Sequence, residues 1–221
     1  MTNPDQFARS NQFAVVIPAL NEARSISEVI AGISKYGTPI VVDDGSTDDT
    51  AKTAERSGAI VIKHAVNRGY DKALESGLFK AIELGFVYAI TLDADGQHFS
   101  QTLRAFKTEL SEGADLVIGT RDRYQRFAES VFSFFGKALW GIADPLCGMK
   151  GYKLSHLAEL GYFDSYHSIG TEFAIRCVNS KLNIRYVPVP TLNRAGSSRF
   201  GSGFWPNYKI FRALCLGIFR N

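Results

Sequence analysis

From position 13 the chain alternates short, continuous apolar runs with longer stretches whose apolar residues recur every three or four positions. FAVVIP (13–18), PIVVDD (39–44), AIVIKH (59–64), VYAITLD (87–93) and ADLVIGT (114–120) have the length and β-branched content of buried strands. Between them, SISEVIAGISKYG (25–37), a segment opened by STDDT (46–50), GYDKALESGLFKAIELG (69–85) and TLRAFKTELSEG (102–113) carry helical spacing. Ser25 and Glu28 are spaced as a capping box, Ser46 and Asp49 as a second, and Gly85 ends the third helix. Apolar strands separated by helices predict an α/β fold with a mostly parallel central sheet flanked by helices.

Beyond position 121 the pattern changes. Residues 122–142, which contain FAESVFSFFGKALWG, are aromatic and helical. DPLCGMKGYK (144–153) reads as a loop entering a short strand, GTEFAIRCVNSKLN (170–183) as a helix and IRYVPVP (184–190) as extended chain. The last segment, FWPNYKIFRALCLGIFRN, is apolar with scattered basic residues. No internal repeat or low-complexity linker interrupts the 221 residues, a length that allows one domain with a sizeable core. The expected division is a single domain over 1–203 and a basic amphipathic extension over 204–221.

Composition adds limits. The longest apolar runs, such as FVYAITL (86–92), are too short to span a bilayer. MTNPDQFARSNQ at the start has no apolar stretch of the secretory kind. Cys147, Cys177 and Cys215 are too scattered for a disulfide framework or a zinc site, and read as small buried apolar side chains. A cytoplasmic, reducing environment is the expectation, with no nucleic-acid partner. The net charge of +3 hides an asymmetry: no Asp or Glu follows Glu172, whereas eight Lys and Arg do. The first 172 residues therefore hold the other 17 basic residues and all 22 acidic ones, a balance of −5. A basic end on an acidic body fits an anionic ligand or membrane surface there, or an ordinary solvated face.

In open α/β sheets ligands bind beyond the carboxyl ends of the strands. Polar residues gather at those ends here: Asn21 and Glu22 after the first strand, Asp43 and Asp44 at the second, Asp93 and Asp95 after the fourth, Thr120 and Arg121 at the fifth. Helix capping accounts for STDD but does not require two adjacent carboxylates at a strand end. A carboxylate there can accept hydrogen bonds from a ribose or a base. No strand is followed by G-x-G-x-x-G, which argues against a dinucleotide cofactor. In LDADGQHFS (92–100), residues two apart share a face if the strand continues, so Asp93 and Asp95 repel unless a cation lies between them. A hard divalent ion, Mg²⁺ or Mn²⁺, suits such oxygen ligands. His98 is either a further ligand or a solvated turn residue.

Together these residues resemble the inverting family 2 glycosyltransferases of the GT-A fold. The resemblance runs through VVIPALNE (15–22), IVVDDGSTDDT (40–50), NRGYDKALESGL (67–78), TLDADGQH (91–98), VIGTR (117–121), DPLCGMKGYK (144–153) and GTEF (170–173). Within the family the chain is similar to the dolichyl- and polyprenyl-phosphate sugar transferases, through RDRYQRFAESVFSFFG and the span from Asp144 to Lys150. The resemblance implies a GDP- or UDP-linked sugar donor, a divalent metal, and a polyprenyl phosphate or glycan acceptor. Pro18, Leu20 and Glu22 would line the nucleotide pocket, joined by Asp43 or Asp44. Asp93 and Ala94 would contact the nucleotide, Asp95 would bind the metal, and Gln97 would lie beside it. Arg121 would lie near the diphosphate or the acceptor phosphate. Ser198 and Arg199, in GSSRFG (196–201), would close over the diphosphate, while Arg194 is one position away from the family's usual arginine.

A sugar hydroxyl acceptor needs a general base, and a phosphate is already anionic. Glu172 and Asp144 are the base candidates, although Glu172 also fits a carboxylate at a helix N-terminus. The last segment would lie on a membrane surface through Phe204, Trp205 and its basic residues, or pack as a core or oligomer helix. The alternatives are transfer to a saccharide hydroxyl or a non-catalytic relative that binds nucleotide-sugar.

Overall fold

The computed structural model describes residues 12–94, 100–124, 126–164, 168–190 and 204–220. All five expected strands form: β1 (Phe13–Ala19), β2 (Thr38–Asp43), β3 (Ile60–Lys63), β4 (Tyr88–Thr91) and β5 (Leu116–Arg121). β6 (Lys150–Lys153) and β7 (Ile184–Val189) follow. The helices are α1 (Ile26–Ile33), α2 (Thr50–Arg56), α3 (Tyr70–Glu83), α4 (Ser100–Ser111), α5 (Phe127–Trp140), α6 (Leu154–Leu160), α7 (Thr171–Asn179) and α8 (Phe204–Arg220). The short helix α6 falls where the sequence pattern predicts no element.

The strands form one sheet in the order β3-β2-β1-β4-β6-β5-β7. Every neighbouring pair is parallel except those of β6, which lies antiparallel between β4 and β5. β7 forms the edge, which is where a strand containing Pro188 can sit without breaking a ladder on both sides.

Burial follows the two-residue period of a strand. Along β1, Phe13, Val15, Ile17 and Ala19 join one apolar cluster with α1 and α4, while Ala14 and Val16 join the other with α3 and α7. Helix α3 lies so close to the sheet that a Cβ on Gly77 would come 2.3 Å from Val16 Cγ1. A third, smaller cluster joins Phe132 of α5 and Leu146 to Ala213 and Leu214 of α8. Helix α8 thus packs one stripe on the body and leaves Tyr208, Phe211, Ile218 and Phe219 exposed.

Three local expectations are corrected. Ser25 stands at the N-terminus of α1 without capping it; its hydroxyl turns instead to Glu22 and Ala94. Ser46 and Asp49 form no capping box either, because α2 starts only at Thr50 and Asp48 accepts the Thr50 amide. Cys147 and Cys177 are buried, but Cys215 lies on the exposed stripe of α8.

Candidate active site

From β1 the chain builds outward through β2 and β3, whereas β4 lies on the other side of β1. The strand order reverses at the carboxyl ends of β1 and β4, the ordinary ligand position in such a sheet. Pro18 is buried in β1, and Leu20 and Glu22 follow it, partly exposed. The Ser25 hydroxyl donates to Glu22 Oε2 at 2.5 Å and lies 3.2 Å from the Ala94 carbonyl, so the loops after β1 and β4 are tied together.

The loops after β1 and β2 also interlock. Asn21 adopts a left-handed conformation (φ 55°), which its short polar side chain tolerates. Its Oδ1 accepts the Thr47 amide at 2.9 Å, and its own amide donates to Ser46 Oγ at 2.9 Å. The Glu22 amide donates to Thr50 Oγ1 at 2.7 Å and the Ala23 amide to Asp48 Oδ2 at 3.2 Å.

The adjacent aspartates have different surroundings. Asp43 accepts the Ser46 amide through Oδ1 at 3.0 Å. Asp44 is buried, and both of its oxygens are engaged. Oδ1 meets His64 Nδ1 at 2.7 Å and the Arg68 amide at 2.9 Å, while Oδ2 accepts the Gly69 amide at 2.8 Å. His64 Nε2 in turn lies 3.0 Å from Ser76 Oγ on α3. Asp44 therefore joins the ends of β2 and β3 to the turn that opens α3.

Beyond β4, Asp93 accepts a 2.6 Å bond from the Tyr70 hydroxyl. Burial and the charge of Asp93 raise the Tyr70 phenol well above its ordinary range, so it stays a donor. Gly148 closes against this pair: a Cβ there would lie 2.9 Å from the Tyr70 hydroxyl and 3.5 Å from both Asp93 oxygens. The buried Thr91 hydroxyl donates to the Gly148 carbonyl at 2.7 Å and accepts the Lys150 amide at 3.0 Å, which holds the 144–150 loop against β4. Asp95, Gln97, His98, Ser198 and Arg199 lie outside the described residues, as do the side chains of Phe204 and Trp205. Among the described residues no group of three His, Cys, Asp or Glu side chains converges as a metal site.

Arg121 and Asp144, both singled out in the sequence, meet as a bidentate pair. Arg121 Nε donates to Asp144 Oδ2 at 2.8 Å and Nη2 to Oδ1 at 2.9 Å, and the Arg121 amide reaches Oδ2 at 3.1 Å. Nη1 donates to Glu129 Oε2 at 3.1 Å, and Arg126 reaches Glu129 Oε1 at 2.9 Å. Burial alone would lower the Arg121 guanidinium; its bonds to Asp144 and that carboxylate's charge outweigh burial and hold it above its ordinary value. Asp144 is 1% exposed.

Glu172 is buried in the first turn of α7, with Arg176 Nη2 at 3.4 Å from Oε1. The turn before it is held by Asp164, whose Oδ2 accepts the Ser168 amide at 2.9 Å and the Gly170 amide at 2.8 Å. Lys150, fully buried, donates to the carbonyls of Pro145, Cys147 and Ile169 at 2.9, 2.6 and 2.7 Å.

Tyr70 and Glu129 were not singled out in the sequence, and Lys150 entered only as the end of the Asp144 to Lys150 span. Glu129 carried a signal: it shares the helical spacing of Phe132, Ser133 and Gly136, the buried side of α5. Lys150 sits in a strand buried on both faces, where a charge implies a partner. Tyr70 carried no local signal.

The model of glycosyl transferase family 2 matches residues 14–131, more than half of the chain. The chain belongs to glycosyl transferase family 2. It is 28% identical, over 91% of its length and 94% of the relative's, to a UDP-N-acetylglucosamine--dolichyl-phosphate N-acetylglucosaminyltransferase of Methanococcus voltae. It is 27% identical to a dolichyl-phosphate hexose transferase of Haloferax volcanii, over 86% of each chain. Among solved structures it superposes on glucosyl-3-phosphoglycerate synthase of Mycobacterium tuberculosis bound to Mn²⁺, UDP and glucosyl-3-phosphoglycerate. The TM-score is 0.73 at 21% identity, covering 98% of this chain and 84% of that one. The same enzyme with Mg²⁺ and UDP gives a TM-score of 0.68 at 23% identity, over 90% of this chain and 77% of that one. The fold is the GT-A fold, and the protein is a glycosyltransferase.

Proposed function

We propose that this glycosyltransferase moves a sugar, with inversion, from a UDP- or GDP-linked donor to a polyprenyl phosphate at a membrane surface. The observation that carries the reading is that Glu22, Asp43 and Asp93 end or follow the neighbouring strands β1, β2 and β4 at the switch of strand order, in a chain whose relatives include dolichyl-phosphate sugar transferases. Leu20, Glu22 and Asp43 receive the nucleoside, with the buried Pro18 on β1 and the buried Ala94, whose carbonyl meets Ser25, as part of the frame. Asp44, saturated by His64, Arg68 and Gly69, shapes that pocket from behind.

The two carboxylates of LDADG suit a hard divalent ion by their chemistry, and Tyr70 orients Asp93 with a hydrogen bond. Asp93 and Asp95 would hold Mg²⁺ or Mn²⁺, which when bound supplies neutralising charge to the departing diphosphate. His98 and Gln97 stand beside them in sequence, and Ser198 and Arg199 belong to the closing segment. Arg121 uses three of its five N–H groups on Asp144 and Glu129. The other two are those that a phosphate would meet, and Asp144 positions them. A phosphate acceptor attacks as an anion and needs no base; with a hydroxyl acceptor, Glu172, paired with Arg176, and Asp144, paired with Arg121 in a bidentate bond, are the base candidates.

Peripheral membrane contact is supported by side chains on α5 and α8. Phe127 and Phe134 of α5 and Phe219 of α8 are 78%, 70% and 84% exposed, and Arg212 lies on the exposed stripe of α8. Among the described residues no helix is long and apolar enough to cross a membrane.

The test is donor hydrolysis and transfer across a panel of UDP- and GDP-sugars, with and without polyprenyl phosphate and Mn²⁺. Metal-dependent transfer to the lipid is expected, and Asp95→Asn is expected to abolish it in a folded protein. Transfer only to saccharides, or full activity in Asp95→Asn, would overturn the acceptor or the metal assignment respectively.

A further inference from the structure

Just before α7 the backbone takes a conformation that its sequence disfavours. Ile169 has φ 59°, a left-handed conformation for a β-branched residue. Such strain persists only where the surroundings hold it. Both peptide groups of Ile169 are held here. Its amide donates to Asp71 Oδ1 at 2.7 Å, and its carbonyl accepts from Lys150 Nζ at 2.7 Å.

The two holders lead to opposite parts of the site. Asp71 follows Tyr70 in α3, and Tyr70 donates to Asp93. The other two donors of Lys150 go to Pro145 and Cys147, in the loop that carries Asp144 and then closes at Gly148 against Asp93. The Thr171 hydroxyl lies 3.1 Å from the same Pro145 carbonyl. An ammonium has three N–H donors, and three carbonyl oxygens receive them. A chain of contacts therefore runs from Asp93 through Tyr70, Asp71, Ile169 and Lys150, with Glu172 three residues beyond Ile169.

We propose that Lys150 and Asp71 are positioning residues for sugar transfer, clamping the strained Ile169 turn from both sides and thereby setting Glu172 and the 144–150 loop, whose Asp144 holds Arg121, relative to Asp93. The inference rests on the transferase reading above, in which Asp93 serves the donor and Arg121, joined by Glu172 for a hydroxyl acceptor, serves the acceptor side. A group that acts by positioning moves kcat and leaves donor KM nearly unchanged. A group that only supports the fold changes the folded fraction.

The test uses the full chain with Lys150→Met or Asp71→Ala beside wild type. Thermal unfolding and hydrogen exchange of the 168–174 amides are measured first, without ligand. Kinetics follow with the donor–acceptor pair that the panel identifies. The expected result is exchange at 168–174 at least about 10-fold faster and kcat about 100-fold lower, with donor KM within about 3-fold. Wild-type exchange and kcat in both variants would overturn the proposal. So would a kcat loss that merely tracks the unfolded fraction. If Lys150→Met does not fold, Asp71→Ala decides by the same two readouts. Should wild type turn over no pair, the transferase reading fails and the catalytic role with it. The exchange arm then still shows whether the clamp exists.

Discussion

The carboxylates at the ends of β1 and β2 are held differently from those around β5 and β6. In the first region Asp43, Asp44 and Asp48 accept backbone amides from loops close by in the sheet, and Asp44 also meets the buried His64 ring. In the second, Arg121, Asp144, Glu129 and Arg126 form a buried network of side-chain charges, and Lys150 buries an ammonium among carbonyls. An amide that loses its acceptor is one unsatisfied dipole; a buried charge that loses its partner is far more costly. The first region should therefore tolerate damage better than the second.

The largest effect is expected for Asp144→Ala, which leaves Arg121 without its main partner and should lower stability by about 3–5 kcal/mol in urea unfolding. Asp144→Leu combined with Arg121→Met should recover most of that loss, since no isolated charge remains. Asp44→Ala orphans two amides and His64 and should cost about 2–3 kcal/mol. If it costs as much as Asp144→Ala, the contrast between the two regions fails. A smaller effect concerns pH. Burial lowers Lys150 to about 8, opposed by the neighbouring Cys147, Asp144 and Asp164, while Arg121 lowers it further. Above that pH the amine has two N–H groups for three carbonyls. The kcat should then fall about tenfold per pH unit, a limb that Lys150→Arg removes because a guanidinium keeps its proton. Least sensitive should be the exposed i,i+3 pair of Lys80 and Glu83, where Lys80→Ala should change stability by less than about 0.5 kcal/mol.

Much of the polar cluster at the ends of β1, β2 and β4 was legible in the sequence because its residues are local. Glu22, Asp43 and Asp93 stand where apolar runs stop, and a strand end is visible in one dimension. The capping boxes misled for the same reason in reverse. Ser25 and Ser46 have the right spacing, but the preceding Glu22 and the distant Ala94 and Asn21 claim their hydroxyls. The polar network around β5 and β6 was legible only as a family resemblance, since its groups satisfy one another across long separations. Arg121 and Asp144 stand 23 positions apart and Asp71 and Ile169 stand 98 apart.

The sequence by itself determined the alternation of strands and helices, the parallel character of the sheet and the polar residues at its strand ends, because hydrophobic period and length are local properties. Only the tertiary structure decided that β6 enters antiparallel between β4 and β5. It alone decided that Asp44 turns inward to His64, that Asp144 is committed to Arg121, and that Lys150 braces the turn before Glu172. Each of these depends on which distant segments the strand order makes neighbours, and a buried polar group takes its role from the partners that the fold brings to it.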